Sequence, residues 1–309
     1  MTDPQELISA LAREMPPVLR WAGAVAKQLR VHDIAVGGKS SGFSNTDALT
    51  LADLSLQELI VAALRDSDPL FRKCRLEAEE ANGDLSRFST DSPFVIALDP
   101  IDGTKQYRDR SGDGWSVMLH LRTATEVLYS LVYVPSAGPE GRWVEVSPNR
   151  IAVGDDDLSR PARVVLDGLE TRNEPVQSGS GFIYMIGFVG RERESVEAVR
   201  SAGINGIDAD ETPGCLYDLM ATGEFAGSLI HSPNVYDYPV SLQIARQRGG
   251  DSVSVRTGRA VDFNDLWFDE RSKMWRLRGI VATAADLDVL KTLCDVPRDW
   301  NEDRYAGRN

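Results

Sequence analysis

The sequence predicts a mixed fold, with a sheet-rich α+β first half followed by an α/β second half. Short apolar runs separated by turn residues dominate up to residue 155, whereas strand-like and helix-like segments alternate beyond it. The chain has 309 residues, of which 42% are hydrophobic, and this is enough for two closely packed halves. We therefore expect an α+β domain over residues 1–155 and an α/β domain over residues 156–309.

Two amphipathic helices are expected near the start of the chain. Apolar side chains recur at helical spacing just after Pro16 and Pro17, which a helix tolerates at its beginning but not in its interior. The first helix is therefore expected to begin near these prolines. The same spacing recurs in residues 49–64, where Asp47 or Thr50 would cap the second helix.

The strands of the first half follow these helices. An unbroken apolar run at residues 94–98 ends at Asp99 and Pro100, and it predicts a strand that is buried on both faces and stopped by the proline. Alternating apolar residues then predict an antiparallel meander. Its strands are expected at residues 117–121, 127–134 and 143–146.

The second half is expected to alternate strands and helices. Strands are predicted at residues 164–166, 182–188 and 228–230. Helices are predicted at residues 192–200, about 212–223 and about 237–247, the last of them closed by Gly249. The charged C-terminal segment, residues 299–309, is expected to be loosely attached to the rest of the protein.

The charge and the cysteine content exclude several classes of function. With 34 basic and 47 acidic side chains the formal net charge is -13, whereas nucleic-acid polymers and anionic membranes are bound by clustered Lys and Arg. No stretch has the length and apolarity of a membrane span or a signal peptide. The three cysteines are far apart, so neither a disulfide framework nor a zinc site is expected, and a cytoplasmic location fits best.

Three apparent motifs have ordinary explanations. The segment Gly38-Lys39-Ser40 lacks the glycine that a phosphate loop needs five residues earlier, where Asp33 stands. The Gly-Ser-Gly around Ser180 has no strand-to-helix context and is expected to be a loop. The histidines are too dispersed for a metal pair and are expected to be surface or core polar residues: His32, His120 and His231.

The segment Asp99-Pro-Ile-Asp-Gly-Thr104 carries the strongest functional signal. Asp-Pro and Asp-Gly are common turn dipeptides in isolation. Here, however, a buried strand delivers the carboxylates of Asp99 and Asp102 into a turn, and Gly103 and Thr104 then offer main-chain N–H groups to an anion. Other acidic positions also have ordinary explanations: Glu77–Glu80 as a solvated loop, Asp237 as a helix N-cap, and Asp53 as a solvent-facing residue.

Together these segments resemble a known family. Glu79-Glu80, the Asp99–Thr104 segment and Asp237, followed by a helix that ends near Gly249, resemble the inositol monophosphatase superfamily of magnesium-dependent, lithium-sensitive phosphatases. That superfamily includes the 3'(2'),5'-bisphosphate nucleotidases. The similarity runs from about residue 39 to residue 282, which is most of the chain. It implies a layered αβαβα sandwich, a phosphomonoesterase site between the two halves, and a homodimer as a possible assembly.

The resemblance also implies a site for two or three Mg²⁺ ions. One ion would be bound by Glu79, Asp99 and the main-chain carbonyl of Ile101. A second would be bound by Asp99, Asp102 and Asp237, and a third, weaker ion would lie near the glutamate. Carboxylates crowded in this way raise one another's pKa unless cations neutralise them, and a set of oxygen ligands favours magnesium.

The catalytic residues that the resemblance implies are Asp53, Thr104 and Glu79. Thr104 and Asp53 resemble the pair that orients and deprotonates the attacking water, which a magnesium ion at Glu79 would activate. The implied substrate contacts are Asp102, Gly103, Thr104, Lys105 and Arg108.

The expected substrate is a small anionic phosphate ester, and three departures from the inositol-specific members bear on its identity. Ile230 stands where those members have a glutamate that contacts the inositol ring, Ala226 stands in place of an aspartate, and Tyr236 in place of a tryptophan. Lys105 follows the motif as in many bisphosphate nucleotidases.

Arg108 and the nearby Arg110 could reach a second anionic group, or could belong to a solvated loop. We therefore expect a 3'(2'),5'-bisphosphate nucleotidase that converts 3'-phosphoadenosine 5'-phosphate to AMP and phosphate. An inositol monophosphatase or related sugar-phosphate phosphatase is the alternative within the family. A relative that binds a phosphorylated metabolite without catalysis is the alternative outside enzyme function.

Overall fold

Five layers in the order αβαβα make up the computed structural model, which describes residues 2–32, 50–174 and 181–306. This layering confirms the predicted fold class. Two sheets stack with helices between them and helices on both outer faces, because each sheet has two apolar faces to cover.

The first sheet is the predicted meander with a parallel strand added at one edge. Its strands, in spatial order, are β1 (Arg75–Ala78), β2 (Val95–Asp102), β3 (Ser116–Arg122), β4 (Val127–Val134), β5 (Arg142–Ser147) and β6 (Arg150–Asp155). Strands β1 and β2 are parallel, and each later pair is antiparallel. Strand β2 is buried on both faces as expected, but it continues past Pro100 to Asp102.

Helices α1 (Pro4–Arg30) and α2 (Leu51–Ser67) cover the outer face of this sheet. The prediction that α1 begins near Pro16 was wrong, because the helix begins twelve residues earlier and contains both prolines. Its apolar stripe continues to Leu7, and burial of that stripe against the sheet outweighs the main-chain hydrogen bonds that the prolines remove. Thr50 caps α2 as predicted, whereas Asp47 lies outside the described residues.

The second sheet is antiparallel on one side and parallel on the other. Its strands, in spatial order, are β10 (Asp251–Ser254), β13 (Ile280–Ala284), β9 (Phe225–His231), β7 (Phe182–Ile186) and β8 (Asn205–Asp208). Strand β7 is parallel to β8 and β9. A separate hairpin, β11 (Leu266–Asp269) and β12 (Met274–Leu277), lies beside this sheet.

The remaining helices include those of the middle layer and of the second outer layer. Four of them follow the first sheet's helices in chain order: α3 (Thr104–Asp109), α4 (Ala162–Gly168), α5 (Glu192–Ser201) and α6 (Leu216–Thr222). The last two are α7 (Tyr238–Gln247) and α8 (Leu287–Asp295). Helices α6 and α7 form the middle layer between the sheets, and α5 and α8 cover the outer face of the second sheet.

Two predictions in the second half were wrong. Residues 164–166 form part of helix α4, which packs against α1, since three apolar residues are too few for their periodicity to separate a strand from a helix. The C-terminal segment is not loosely attached: Arg304 and Tyr305 are buried, and the tyrosine hydroxyl donates a hydrogen bond to Asp269 at 2.6 Å. The division into domains at residue 155 stays a prediction.

The described residues include no helix that combines the length and the apolarity needed to cross a membrane. All three cysteines are free thiols, as the sequence predicts, and Cys74 and Cys215 are buried.

Candidate active site

Three carboxylates from distant parts of the chain meet in a cleft between the two sheets. Asp99, Asp102 and Asp237 each place an oxygen within 4.8 Å of the others. Glu79 and Thr104 line the same cleft. The structure therefore brings together the residues that the sequence proposes as magnesium ligands.

A bulge in strand β2 gives Asp99 and Asp102 their common direction. The pairing with β3 shifts between them, since Asp99 lies opposite Met118 and Asp102 opposite Ser116. Residues three apart on a regular strand point to opposite faces, but one extra residue returns the second side chain to the first face. Pro100 lies within this bulge, where its missing N–H costs no ladder hydrogen bond. The bulge is therefore what makes a two-carboxylate ligand set from this segment.

Glu79 reaches the site because β1 runs parallel to β2. Ala78 pairs with Leu98, so the residues that follow the two strands lie at the same edge of the sheet. A buried glutamine of α2, Gln57, fastens this turn: its amide donates to the carbonyl oxygen of Glu80 at 2.6 Å and its oxygen accepts from the N–H of Glu80 at 2.9 Å. Both glutamates are buried, so this segment is not a solvated acidic loop.

Asp237 enters from the middle layer, at the residue before α7. Its carboxylate accepts a hydrogen bond at 2.8 Å from the side-chain amide of Asn234. The oxygen of that same amide accepts from the main-chain N–H of Tyr236 and of Asp237, so the asparagine fixes the turn. The side chain makes no capping hydrogen bond to the helix, and this leaves it available to the cleft.

Asp53 and Thr104 form the hydrogen-bonded pair that the family resemblance implies. Asp53 is fully buried, contrary to the expectation that it could face solvent. One of its oxygens accepts from the N–H and the hydroxyl of Thr50 at 2.7 and 2.6 Å, which locks its orientation. The hydroxyl of Thr104 lies 3.1 Å from the other oxygen and 2.8 Å from the carbonyl oxygen of Ile101.

The charges in this cleft are crowded. Burial raises the pKa of Asp99 well above its usual value, and Glu79, Asp102 and Asp237 raise it further. Burial also raises the pKa of Asp102, and the charges of Asp237 and Glu79 raise it further. The pKa of Asp237 rises to about 6, chiefly through burial, although the bond from Asn234 opposes the rise. A cluster of buried and half-buried carboxylates with too much negative charge fits a hard divalent cation.

Magnesium is therefore expected to stabilise the protein more at pH 7.5 than at pH 5. An aspartate whose folded pKa is raised binds more protons when folded, so metal-free stability falls as the pH rises from about 4 through 6. A saturating divalent ion removes this penalty, and a melting temperature about 5 °C higher is expected at pH 7.5. Thermal denaturation with MgCl₂ or with NaCl of equal ionic strength measures the difference. Equal shifts at both pH values would contradict the fit to a cation.

Some of the residues proposed to contact substrate lie at the cleft, and one of them does not. Gly103 has φ of 78°, a left-handed conformation that favours glycine, and it begins helix α3 beside the cleft. Lys105 lines the cleft and forms an ion pair with Asp210 at 2.7 Å. Arg108 does not belong to the lining of the cleft and pairs with Asp109 at 2.7 Å.

Arg110 also points elsewhere, since its guanidinium donates to the carbonyl oxygens of Arg30 and Val31 at the end of α1. The expectation that Arg108 and Arg110 reach a substrate anion thus gains no support from their placement. Ile230 does line the cleft and supplies an apolar wall, whereas Ala226 lies in the core of the second sheet.

Sequence reasoning missed two basic residues of the cleft. Arg276 on β12 and Arg304 near the C-terminus both line it and are both buried. Neither lies near a recognisable motif, and the C-terminal segment has the composition of an exposed tail. Ser180 and the Gly38–Ser40 segment lie outside the described residues.

Comparison with known proteins identifies sequence and structural likenesses. Residues 14–151 match the sequence model of the inositol monophosphatase family. No curated protein gives a significant match.

Solved structures extend the likeness to almost the whole chain. Staphylococcal inositol monophosphatase-1, in a LiCl-soaked inhibitory complex, has a TM-score of 0.66 at 14% identity, with 98% of each chain covered. An IMPase/NADP phosphatase complexed with Mg²⁺ and phosphate has a TM-score of 0.62 at 15% identity, with 92% of each chain covered. CysQ from Bacteroides thetaiotaomicron has a TM-score of 0.60 at 16% identity, covering 90% of this chain and 97% of its own. At these identities the likeness shows a shared fold.

Proposed function

We propose that the chain is a member of the inositol monophosphatase family, whose members are phosphatases, and that it is a magnesium-dependent 3'(2'),5'-bisphosphate nucleotidase. The general reaction, hydrolysis of a phosphate monoester, comes with the family. The observation that carries the magnesium dependence is the meeting of Asp99, Asp102 and Asp237 beside Glu79. The assignment to the bisphosphate nucleotidases is a more specific proposal than the general phosphatase activity.

Two or three magnesium ions would be bound by Glu79, Asp99, the carbonyl oxygen of Ile101, Asp102 and Asp237. Such ions supply a water of lowered pKa and positive charge for the oxygens of the phosphoryl group. The crowded carboxylates favour the binding of these ions, because a nearby cation offsets the repulsion between the ionised groups. Inhibition by lithium, seen in the staphylococcal relative, is part of the proposal.

Proton transfer from the attacking water is assigned to Thr104 and Asp53. The water would donate a proton to the threonine oxygen while the threonine hydroxyl donates its own proton to Asp53. Thr50 holds the other oxygen of Asp53 with two hydrogen bonds, so the acceptor is oriented before substrate binds. As the water oxygen bonds to phosphorus, the ester oxygen leaves and takes a proton from solvent, and the products are an alcohol and orthophosphate.

The lining of the cleft favours a nucleotide over a polyol. Ile230 and Met274 present apolar side-chain surface and Tyr184 an aromatic ring, and such a lining suits a nucleotide base. The N–H groups of Gly103 and Thr104 would bind phosphoryl oxygens, with Lys105 beside them. The reducing compartment that we propose is supported by three unpaired cysteines. A homodimer stays a prediction.

A substrate panel tests this proposal. Initial rates of phosphate release are compared for 3'-phosphoadenosine 5'-phosphate, inositol 1-phosphate and fructose 1,6-bisphosphate, with magnesium, with chelator, and with magnesium plus lithium. We expect kcat/KM for the bisphosphate nucleotide to exceed that for either sugar phosphate at least ~10-fold, which is about 1.4 kcal/mol of transition-state binding. Chelation should abolish all rates and lithium should lower them.

Each contrary result has a distinct meaning. A preference for inositol 1-phosphate would replace the nucleotidase assignment with the inositol monophosphatase branch. No phosphate release from any ester, together with retained binding of phosphorylated metabolites, would identify a non-catalytic relative. Protein with Asp99→Asn, purified in the same way, controls for contaminating phosphatases.

A further inference from the structure

Arg304 brings a buried positive charge to the wall of the cleft. It is 5% exposed, lines the cleft, and donates a hydrogen bond from one terminal nitrogen to the main-chain oxygen of His231 at the end of β9. Its Nε is buried and has no hydrogen-bond partner among the described residues. The ring of Tyr305 lies 6.0 Å from the guanidinium carbon, but it carries no negative charge at neutral pH. An arginine presents five N–H donors, so these contacts leave at least the Nε donor unused.

The protein places more positive than negative charge at this wall. Arg276 lies close enough to Arg304 to lower its pKa. A buried carboxylate beside them, Asp269, accepts from Arg276 at 3.0 Å, from Ser272 at 2.8 Å and from Tyr305 at 2.6 Å. Its ion pair is thus with Arg276, and the charge of Arg304 is left without an ion pair among the described residues.

A buried charge without a partner is costly, and the protein could avoid the cost with an apolar residue. Burial and Arg276 lower the pKa of Arg304 to about 9, which still leaves the side chain charged at neutral pH. The neighbouring His231 cannot balance this charge, because a histidine ring is never anionic near neutral pH; burial lowers its pKa to about 4, so its ring is neutral. A ligand that carries an anionic group would provide the missing partner.

The cleft that Arg304 lines is the one that contains the carboxylates. Arg276 is joined to that cluster through the backbone, since it pairs in a β-bridge with Asn234, the residue that binds Asp237. A small molecule whose ester phosphate lies at the carboxylates could therefore place a second group against the arginines.

We propose that Arg304, with Arg276 beside it, forms a subsite for a second anionic group on the phosphate-ester substrate. The proposal rests on the phosphatase function proposed above and names the residues that would bind the second phosphate, or a comparable anion, of its substrate. It assigns to the C-terminal segment the role that the sequence had suggested for Arg108 and Arg110.

Paired substrates test the subsite. The values of kcat/KM for 3'-phosphoadenosine 5'-phosphate and adenosine 3'-monophosphate are measured on the same preparation of wild type and of Arg304→Met. The ratio of bisphosphate to monophosphate is expected to fall about 10- to 100-fold in the variant, the range for loss of a hydrogen-bonded charge contact. Inactive or misfolded molecules lower both kcat/KM values by the same factor, so they do not change this ratio. Arg304→Lys, which keeps the charge but not the forked donors, should retain part of the preference.

Arg278→Met is the matched control, because Arg278 is exposed, pairs with Asp265 and does not belong to the lining of the cleft. Its ratio should equal that of wild type. Equal losses on both substrates in Arg304→Met would overturn the proposal, since they would indicate a purely structural role for the bond to His231. An unchanged ratio in Arg304→Met and Arg304→Lys would overturn it as well.

A binding measurement separates the subsite from the proposed function. Sulfate stabilises proteins in general, so the readout is an extra rise in melting temperature, relative to chloride of equal ionic strength, that saturates at low sulfate concentration. With chelator present the metal-free carboxylates repel sulfate, so this extra shift in wild type and in Arg278→Met reports binding at the arginines. Arg304→Met should lose this shift. If wild type hydrolyses neither nucleotide and the sulfate shift still depends on Arg304, the proposed function fails while the anion subsite stands. A sulfate shift of equal size in Arg304→Met would remove the subsite.

Discussion

Replacement of Asp99 by asparagine is expected to lower kcat/KM at least ~1000-fold and to make the metal-free protein more stable. Asp99 is the carboxylate that the family resemblance assigns to both principal magnesium ions, so its loss weakens both at once. The loss corresponds to several kcal/mol of charge stabilisation in the transition state. The steady-state rate of phosphate release at saturating MgCl₂ measures the effect.

The gain in stability has the same electrostatic origin. Burial and three neighbouring carboxylates raise the pKa of Asp99, so ionisation of this group destabilises the folded protein. Asparagine removes the charge while its oxygen can still accept from the N–H of Ile101, a bond of 2.9 Å in the native protein. The melting temperature in chelator at pH 7.5 is expected to rise by about 3 °C, the shift that about 1 kcal/mol produces in a chain of this size.

Asp265→Asn provides the control for a change of one carboxylate to an amide. Asp265 is exposed and lies outside the cleft, so neither activity nor melting temperature should change appreciably. Normal magnesium-dependent turnover in Asp99→Asn would refute the proposed metal site. A lower melting temperature in chelator would instead show that the crowding of carboxylates is not a source of instability.

Removal of the Thr104 hydroxyl is expected to lower kcat about 10²- to 10⁴-fold, with little change in KM. Thr104→Val keeps the shape of the side chain but removes the group that would relay a proton from water to Asp53, and positioned proton transfer contributes about this factor. Thr104→Ser keeps the hydroxyl and should retain kcat within about 10-fold. Single-turnover and steady-state rates on 3'-phosphoadenosine 5'-phosphate distinguish the chemical step from product release.

The valine variant also has a structural readout. Thr104 is buried at the beginning of α3, and its hydroxyl lies near the carbonyl oxygen of Ile101 and near Asp53. If both variants melt within a few degrees of wild type, a low rate in Thr104→Val reports on catalysis. A turnover in Thr104→Val within about 3-fold of wild type would remove Thr104 from the proton path.

Local patterns predicted much of the scaffold. The alternation in residues 117–146 predicted the meander, and the apolar run before Asp99 predicted the buried strand, because both signals depend on which neighbours along the chain face the same side. The extent of α1 was missed, since the burial of its stripe against the sheet, and not the helix propensity of Pro16 and Pro17, decides where it begins.

The sequence by itself determined the reaction class, because the Asp99–Thr104 segment, Glu79 and Asp237 form a combination of oxygen ligands that the family resemblance makes specific. Only the tertiary structure decided how these residues meet. The bulge at Pro100 turns Asp99 and Asp102 to one side, and burial converts Asp53 from an apparent surface residue into a partner of Thr104.

The tertiary structure alone also decided that Arg304 belongs to the cleft. Its position depends on the hydrogen bond to His231, 73 residues away along the chain, and on the neighbouring Tyr305, which binds Asp269, and no periodicity or spacing encodes such contacts. The balance of buried charge is a sum over distances in space. It can be evaluated only when the chain has folded, and for this reason the sequence motif could suggest magnesium ligands but could not suggest the proposed anion subsite.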